Sequence, residues 1–184
     1  MDALTALHSR TSAARVTGTA PDGIILQNIF RAALRAPDHG QLRPWRFLRI
    51  EGQSLQRLAN LFVAAALYDS PALTFEEQES VRSKALRAPL VVATVSRAAE
   101  HPKIPVLEQE LSAGSATYAM LLAAHAQGIG AIWRTGPMAT HPIVSRGLGL
   151  GENEKVIAFV YMGVPDGPLR PLRELSIDDF VQRW

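Results

Sequence analysis

The run from Ala33 to Ile50 concentrates side chains that could bind a charged, flat ligand. It reads ALRAPDHGQLRPWRFLRI and combines arginines, a histidine, an amide and a tryptophan. Pro37 ends the preceding helix, because proline cannot continue a helix. Trp45 opens a strand in which apolar residues recur. The intervening loop, residues 38–41, therefore joins a helix to a strand, and binding groups are commonly mounted on loops that a rigid scaffold positions.

A purely structural interpretation of the same run is also open. Pro37 and Gly40 are ordinary turn residues, Trp45 could be a core anchor, and His39 could be a surface residue. Residue spacing alone does not separate these interpretations.

A second cluster, near the N-terminus, could bind a phosphate group. Thr11 and Ser12 follow Arg10, and Arg15 comes shortly afterwards. Arginine offers a fork of donors to phosphate oxygens, and hydroxyl groups add short donors beside it. Basic, hydroxyl-rich chain ends are also common without any ligand, so the pattern alone leaves both interpretations open.

Composition excludes several kinds of chemistry. The chain has no cysteine, so disulfides, thiolate metal sites and cysteine nucleophiles are absent. Its five histidines lack the paired spacing of metal ligands, and we expect no metal site. The arginines are scattered from Arg10 to Arg183 and do not cluster along one helix. We therefore expect no binding of nucleic acid.

Length and hydropathy predict a single soluble domain. The 184 residues fit one domain, residues 1–184, with enough apolar content for an ordinary core. The N-terminus lacks the basic and apolar regions of a signal peptide, and no apolar run approaches the length of a membrane span. We expect a cytoplasmic protein that does not associate with membranes.

The hydrophobic patterns predict helices and strands in mixed order, without strict alternation. That order favours an α+β fold in which a sheet lies between helices. The predicted helices are 2–8, 23–35, 54–68, 74–87, 106–127 and 140–146, and the predicted strands are 44–50, 90–95, 131–134 and 155–161. Asp2, Ser54, Thr74 and Thr140 are the expected N-terminal caps.

The longest predicted helix, residues 106–127, is rich in alanine, glycine and serine. Small side chains let another backbone approach closely, so this element is either a central core helix or a dimer interface. Gly128 and Gly130 follow it. They do not form a dinucleotide-binding turn, because that turn joins a strand to a helix in the opposite order.

Together these motifs resemble the nitroreductase family of flavin enzymes. RAPDHGQLRPW is similar to the R-A-P-D-H loop and Q-P-W closure of the short bacterial branch of that family. The N-terminal cluster is similar to its R-R-S-x-R motif, with Thr11 in place of an arginine, and residues 128–133 match its G-x-G-x-x-W element. The resemblance implies a nitroreductase-like α+β sandwich, dimeric, with a mostly antiparallel central sheet flanked by helices.

The resemblance also implies an FMN-dependent NAD(P)H oxidoreductase. In this scheme NADPH or NADH delivers a hydride to flavin N5, and a nitroaromatic, quinone or similar electron-poor small molecule then accepts it in a ping-pong cycle. No side chain is needed as a nucleophile, because the protein supplies position and electrostatics. The family pairs as a homodimer with FMN at the interface.

The site residues follow from the same resemblance. The implied flavin contacts are Arg10, Thr11, Ser12, Arg35, His39, Trp133, Arg134 and Thr135. The implied nicotinamide contacts are Ala123, Ala124, His125, Ala126, Gln127 and Gly128, although a helix C-terminus is a poor site for pyrophosphate. Arg134 could instead be an ordinary ion-pair residue.

Other functions remain open from the sequence. The chain could carry or sense a flavin without turnover, use the flavin for another reaction such as enone reduction, or dimerise without any cofactor. Two residues also depart from the family pattern, because Arg43 stands where glutamine is usual and Arg46 where histidine is common. If both face the site, the acceptor is expected to be anionic; otherwise they point to solvent.

Overall fold

The computed structural model describes all 184 residues and consists of seven α-helices around a five-stranded sheet. Every strand pairing is antiparallel, so the expected α+β sandwich with an antiparallel sheet is confirmed. None of the helices has both the length and the apolar character that crossing a membrane requires. The helices are α1 (Ala3–Ser9), α2 (Gly23–Ala33), α3 (Gln53–Asp69), α4 (Phe75–Ala85), α5 (Val106–Ala126), α6 (Pro137–Thr140) and α7 (Pro142–Gly147), and the strands are β1 (Val16–Thr17), β2 (Trp45–Glu51), β3 (Leu90–Arg97), β4 (Gly130–Arg134) and β5 (Glu154–Pro165).

Strand β5 is the centre of the sheet. It pairs with β1, β3 and β4, and β2 completes the sheet through β3. Successive residues of a strand point to opposite faces. Val160 and Met162 accordingly enter the core beneath α2 and α5, while Phe159 and Tyr161 enter the core beneath α3 and α7. Both faces of the sheet are covered, which is why β3 and β5 read as nearly continuous apolar runs.

Helix α5 uses part of its small-residue surface inside its own chain. Ala113, Ala116 and Ala124 are fully buried in the core that the helix shares with α2 and the sheet. The absence of bulk there lets the helix lie close to the strands. Leu107 and Leu111, by contrast, are more than half exposed. One side of α5 is therefore a core helix, and another side is left without cover in the single chain.

The sequence located most elements, but one short helix, α6, and one strand were not predicted, and two expected helix caps were wrong. The two-residue strand β1 was missed. Helix α3 begins at Gln53, ahead of the expected cap Ser54, because Gly52 redirects the chain with a φ of 54°. Thr140 ends α6, and the side chain of His141 caps α7 by accepting a hydrogen bond from the Ile143 N–H at 3.1 Å. The capping box of Thr74 and Glu77 at the start of α4 is confirmed.

The segment after β5 is extended and exposed. Leu172, Leu175 and Phe180 are each more than half exposed, and Trp184 projects fully into solvent. The body of its own chain does not cover these side chains.

A partly buried ion pair joins β2 to the start of β5. Arg46 Nε and Nη2 donate to the two carboxylate oxygens of Glu154, each at 2.7 Å, and Nη2 also donates to the Gly149 carbonyl at 3.1 Å. The Glu154 side chain is only 11% exposed. The hydrogen bonds from Arg46 lower the pKa of Glu154 to about 2, and burial of the carboxylate opposes this shift.

We expect Arg46→Gln to destabilise the fold by about 1–3 kcal/mol at pH 7, because it leaves a buried carboxylate without its partner. The penalty should shrink as the pH falls from about 4.5 towards 2, where Glu154 of the native protein becomes protonated. Arg49→Gln is the matched control, since it removes an exposed pair with Glu51 and should cost less than about 1 kcal/mol. Urea unfolding of the three proteins measures the difference, and equal losses in both variants would contradict the assignment.

Candidate active site

The N-terminal cluster is fixed against the beginning of β4. The backbone N–H of Ala13 donates to the Ala131 carbonyl at 3.1 Å, so Arg10, Thr11 and Ser12 end beside this strand. Gly130 makes the close approach possible, because a Cβ there would lie 2.8 Å from Val16 Cγ1 and 3.1 Å from the Ala13 Cβ. The glycine is thus required by packing, whereas Gly128 is needed for its φ of 76° after the end of α5.

His125, on the last turn of α5, supports the N-terminal cluster. Its Nε2 lies 2.9 Å from the Ser9 hydroxyl, one residue before Arg10. Burial of the ring and, second, the nearby Arg10 guanidinium lower the pKa of His125. Because the Ser9 hydroxyl donates its hydrogen to the Thr5 carbonyl at 2.6 Å, the neutral imidazole can donate its Nε2–H to the Ser9 oxygen without placing a second positive charge beside Arg10.

The loop after α2 is held by its own carboxylate. Asp38 accepts hydrogen bonds from the backbone N–H groups of Leu42 at 3.1 Å and Arg43 at 2.8 Å. These bonds hold a loop in which Gln41 and Arg43 have positive φ values of 55° and 49°. Non-glycine residues rarely adopt such angles, and they are often found at binding sites.

The same loop is anchored to the first half of α5. His39 Nδ1 lies 2.9 Å from a carboxylate oxygen of Glu108, and the Ser112 hydroxyl donates to the Pro37 carbonyl. Arg35 forms no ion pair and borders a cavity of about 520 Å³ together with Arg43 and Trp45.

The end of β4 presents the third group of predicted contacts. The Trp133 indole N–H donates to the Thr135 hydroxyl at 2.9 Å, and this hydroxyl donates to the Ile157 carbonyl at 3.3 Å. Ile157 lies where the pairing of β3 with β5 skips a residue. Bulges of this kind often stand beside active sites, where they redirect side chains.

A second cavity, of about 460 Å³, opens next to Arg134 and Thr135. Arg134 forms no ion pair within the chain. Lys84 and Arg87 from the region ending α4, together with Tyr161 from β5, also line this cavity. These three residues were not predicted from the sequence, because α4 has the pattern of a solvated polar helix and β5 has the pattern of a core strand.

Arg43 and Arg46, the two residues that depart from the family pattern, have different surroundings. Arg46 is neutralised by Glu154 and is not available to a ligand. Arg43 is exposed beside Arg35. Of the two alternatives, facing the site or pointing to solvent, neither describes Arg46, because it is paired with Glu154.

The predicted nicotinamide segment ends α5 and is partly committed to packing. Ala124 is fully buried. Gln127 ties α5 to α2, because it accepts a hydrogen bond from Asn28 at 3.0 Å and donates one to the Ile25 carbonyl at 3.3 Å. The nicotinamide contact stays a prediction, and Ala126 and Gly128 are the exposed members of the segment.

Comparison with known proteins decides the family. Residues 10–164 match the sequence profile described as the Nitroreductase family. The chain belongs to the nitroreductase family. An Escherichia coli K12 protein named "Putative NAD(P)H nitroreductase YdjA" is 42% identical over 182 residues, which are 97% of this chain and 96% of that protein.

Solved structures of nitroreductases share the fold. A nitroreductase-like family protein from Bacillus cereus superposes with a TM-score of 0.84 at 18% identity, covering 98% of this chain and 95% of that one. A nitroreductase with bound FMN from Bacteroides fragilis superposes with a TM-score of 0.73 at 20% identity, covering 98% of both chains. The nitroreductase match begins at Arg10, the first of the predicted flavin contacts, and ends at Val164, before the exposed tail.

The half-buried position of His125 predicts a pH dependence of stability. Because the pKa of His125 is lower in the folded chain, the unfolded chain binds a proton at this residue more readily below about pH 6.5. The free energy of unfolding should therefore fall as the pH is lowered from 7.5 to 5.5. His125→Gln keeps a polar partner for Ser9 and cannot titrate. Urea unfolding at several pH values should therefore give a shallower decline for the variant, and parallel curves would refute the role of His125.

Proposed function

We propose that this chain is an FMN-dependent NAD(P)H oxidoreductase that transfers reducing equivalents to a nitroaromatic, a quinone or a similar electron-poor small molecule. The observation that carries the proposal is the placement of two contact groups at the ends of one strand. Arg10, Thr11 and Ser12 adjoin the start of β4, and Trp133, Arg134 and Thr135 form its end and the residue after it. About 13 Å of extended backbone separates Ala131 from Thr135.

This spacing suits an elongated cofactor with a phosphate at one end and a flat ring at the other. Arg10 and the hydroxyls of Thr11 and Ser12 would hold the phosphate and ribityl chain, because guanidinium and hydroxyl groups are matched donors for such oxygens. Trp133 and Thr135 would line the ring, held in place by their mutual hydrogen bond. When bound, FMN supplies a carrier that accepts a hydride from NADPH or NADH and passes it to the acceptor in a ping-pong cycle.

The chain's own residues supply charge and position. Arg134, which has no carboxylate partner, places positive charge at the ring end of β4. Positive charge at this end favours electron-rich states of a bound ring. The names of the similar proteins support the same chemistry, since they describe an NAD(P)H nitroreductase in Escherichia coli and bound FMN in Bacteroides fragilis.

We also propose that two copies form a homodimer and share the flavin between them. Within one chain, Arg35 and His39 adjoin the Glu108 end of α5, and Arg10 adjoins the His125 end. Those ends lie about 25 Å apart at the rise of an α-helix. Antiparallel packing of two α5 helices would bring the opposite ends together.

Exposed apolar side chains support this pairing. Leu4 of α1 and Leu107 and Leu111 of α5 are each more than 60% exposed, and the tail adds further apolar residues. Large apolar side chains exposed on α1, α5 and the tail are typical of a surface that another protein copy covers. We place the dimer in the cytoplasm, where NADPH and NADH are available.

One measurement distinguishes the proposed reductase from a flavin carrier. Purified protein is saturated with FMN, gel-filtered and mixed anaerobically with NADPH or NADH while the visible flavin band is recorded. We expect the band to survive filtration and to bleach with at least one nucleotide. A retained band that neither nucleotide bleaches would favour the carrier, and failure to retain FMN would contradict the proposal.

Arg10→Gln should weaken FMN binding by about 10-fold to 100-fold, because it removes a charge-assisted hydrogen bond to phosphate. Arg15→Gln is the matched control. Arg15 lies in the same basic segment and is paired with Asp166, with Nε 3.9 Å from the carboxylate. Fluorescence titration with FMN measures both dissociation constants, and equal weakening in the two variants would exclude a specific role for Arg10.

A further inference from the structure

The cavity beside Arg134 holds a concentration of positive charge that no carboxylate of the chain balances. Lys84, Arg87 and Arg134 all line it, and its other lining residues include no acidic side chain. None of the three cations forms an ion pair elsewhere in the chain. Cations near a helix end can be explained by the helix dipole, but that explanation applies to Lys84 in the last turn of α4 and not to Arg134 on β4.

The hydroxyl of a largely buried tyrosine completes the cavity. Tyr161 is only 4% exposed and borders the cavity. Burial raises the pKa of Tyr161, and the nearby guanidinium groups of Arg87 and Arg134 oppose that rise. Its hydroxyl makes no side-chain hydrogen bond within the chain, so it is a donor available to a ligand in the company of two arginines.

The remaining walls are apolar and aromatic. Phe62, Met138 and Phe159 line the cavity together with Trp133. Phe62 and Phe159 pack edge to face, with ring centroids 5.5 Å apart, so this wall is a rigid surface. A volume of about 460 Å³ lies within the range of small-molecule sites.

The phosphate of the cofactor does not account for this charge. Its predicted contacts, Arg10 to Ser12, stand at the opposite end of β4, about 13 Å from Thr135 by strand geometry. The positive charge at the Arg134 end is therefore available to the flavin ring and to an anionic group of a second molecule.

We propose that the cavity lined by Lys84, Arg87, Arg134 and Tyr161 binds the carboxylate of an aromatic acceptor, and that this enzyme selects aromatic acids over their neutral counterparts. The inference rests on the proposed function, because it names the acceptor class of that site. Arg87 and Lys84 attract and orient the carboxylate, the Tyr161 hydroxyl donates a hydrogen bond to it, and the apolar wall contacts the ring. These residues determine specificity and take no part in hydride transfer.

Calorimetric titration of the FMN-loaded protein with 4-methoxybenzoate and with 4-methoxybenzamide tests the proposal without turnover. The two probes have the same shape and differ in charge. We expect the carboxylate to bind at least about 10-fold more tightly than the amide, as for a charge-assisted site. Arg87→Gln, Lys84→Gln and Tyr161→Phe should each weaken binding of the carboxylate several-fold and leave binding of the amide unchanged.

Arg57→Gln is the matched control, because it removes one exposed positive charge from α3, outside the cavity, and should not change the affinity for either probe. Each variant is also tested for FMN retention and for bleaching by NADPH or NADH. Variants that retain and bleach FMN but lose the preference for the carboxylate support the proposal. Equal affinity of the native protein for the two probes would overturn the proposal. Loss of FMN from the Arg87 and Lys84 variants would also overturn it, because these cations would then belong to the cofactor site.

Discussion

The pairing of β5 with three other strands is the constraint on which the rest of the structure depends. β4 is hydrogen-bonded to β5 and carries Trp133 and Arg134, while β1 joins the far end of β5 and fixes the segment that follows Arg10. Tyr161 and the carbonyl of Ile157 belong to β5 itself. A change in the register of this strand would displace both groups of proposed flavin contacts together.

Ion pairing within the chain determines which arginines are available to a ligand. Arg46 has a carboxylate partner in Glu154, so its charge serves the fold. Arg134 and Arg87 have no such partners. This contrast separates arginines that stabilise the chain from those that are available to a ligand, and residue type alone could not have made that separation.

The sequence predicted what depends on local patterns. Pro37 marked the end of α2, Thr74 and Glu77 marked the start of α4, and the β-branched run of β3 marked a buried strand. What it could not predict depends on contacts between distant residues. Arg46 and Glu154 are paired across an intervening strand, and Lys84 lines the same cavity as Tyr161 only after α4 has packed against α3. The predicted flavin contacts came from the resemblance to a family. Such a resemblance gives the order of the contact residues along the chain, but it does not show which of them lie at the same end of α5.

We propose that the flavin site is complete only where two copies of the chain meet. Sedimentation velocity, recorded at both the protein and the flavin absorption bands, compares the native protein with Leu111→Arg and with Phe75→Arg, an exposed apolar control outside α5 and the tail. The native protein and the Phe75 variant should sediment as dimers that carry the flavin, and the Leu111 variant should sediment as a monomer without flavin. A Leu111 variant that is monomeric and retains its flavin would refute the shared site.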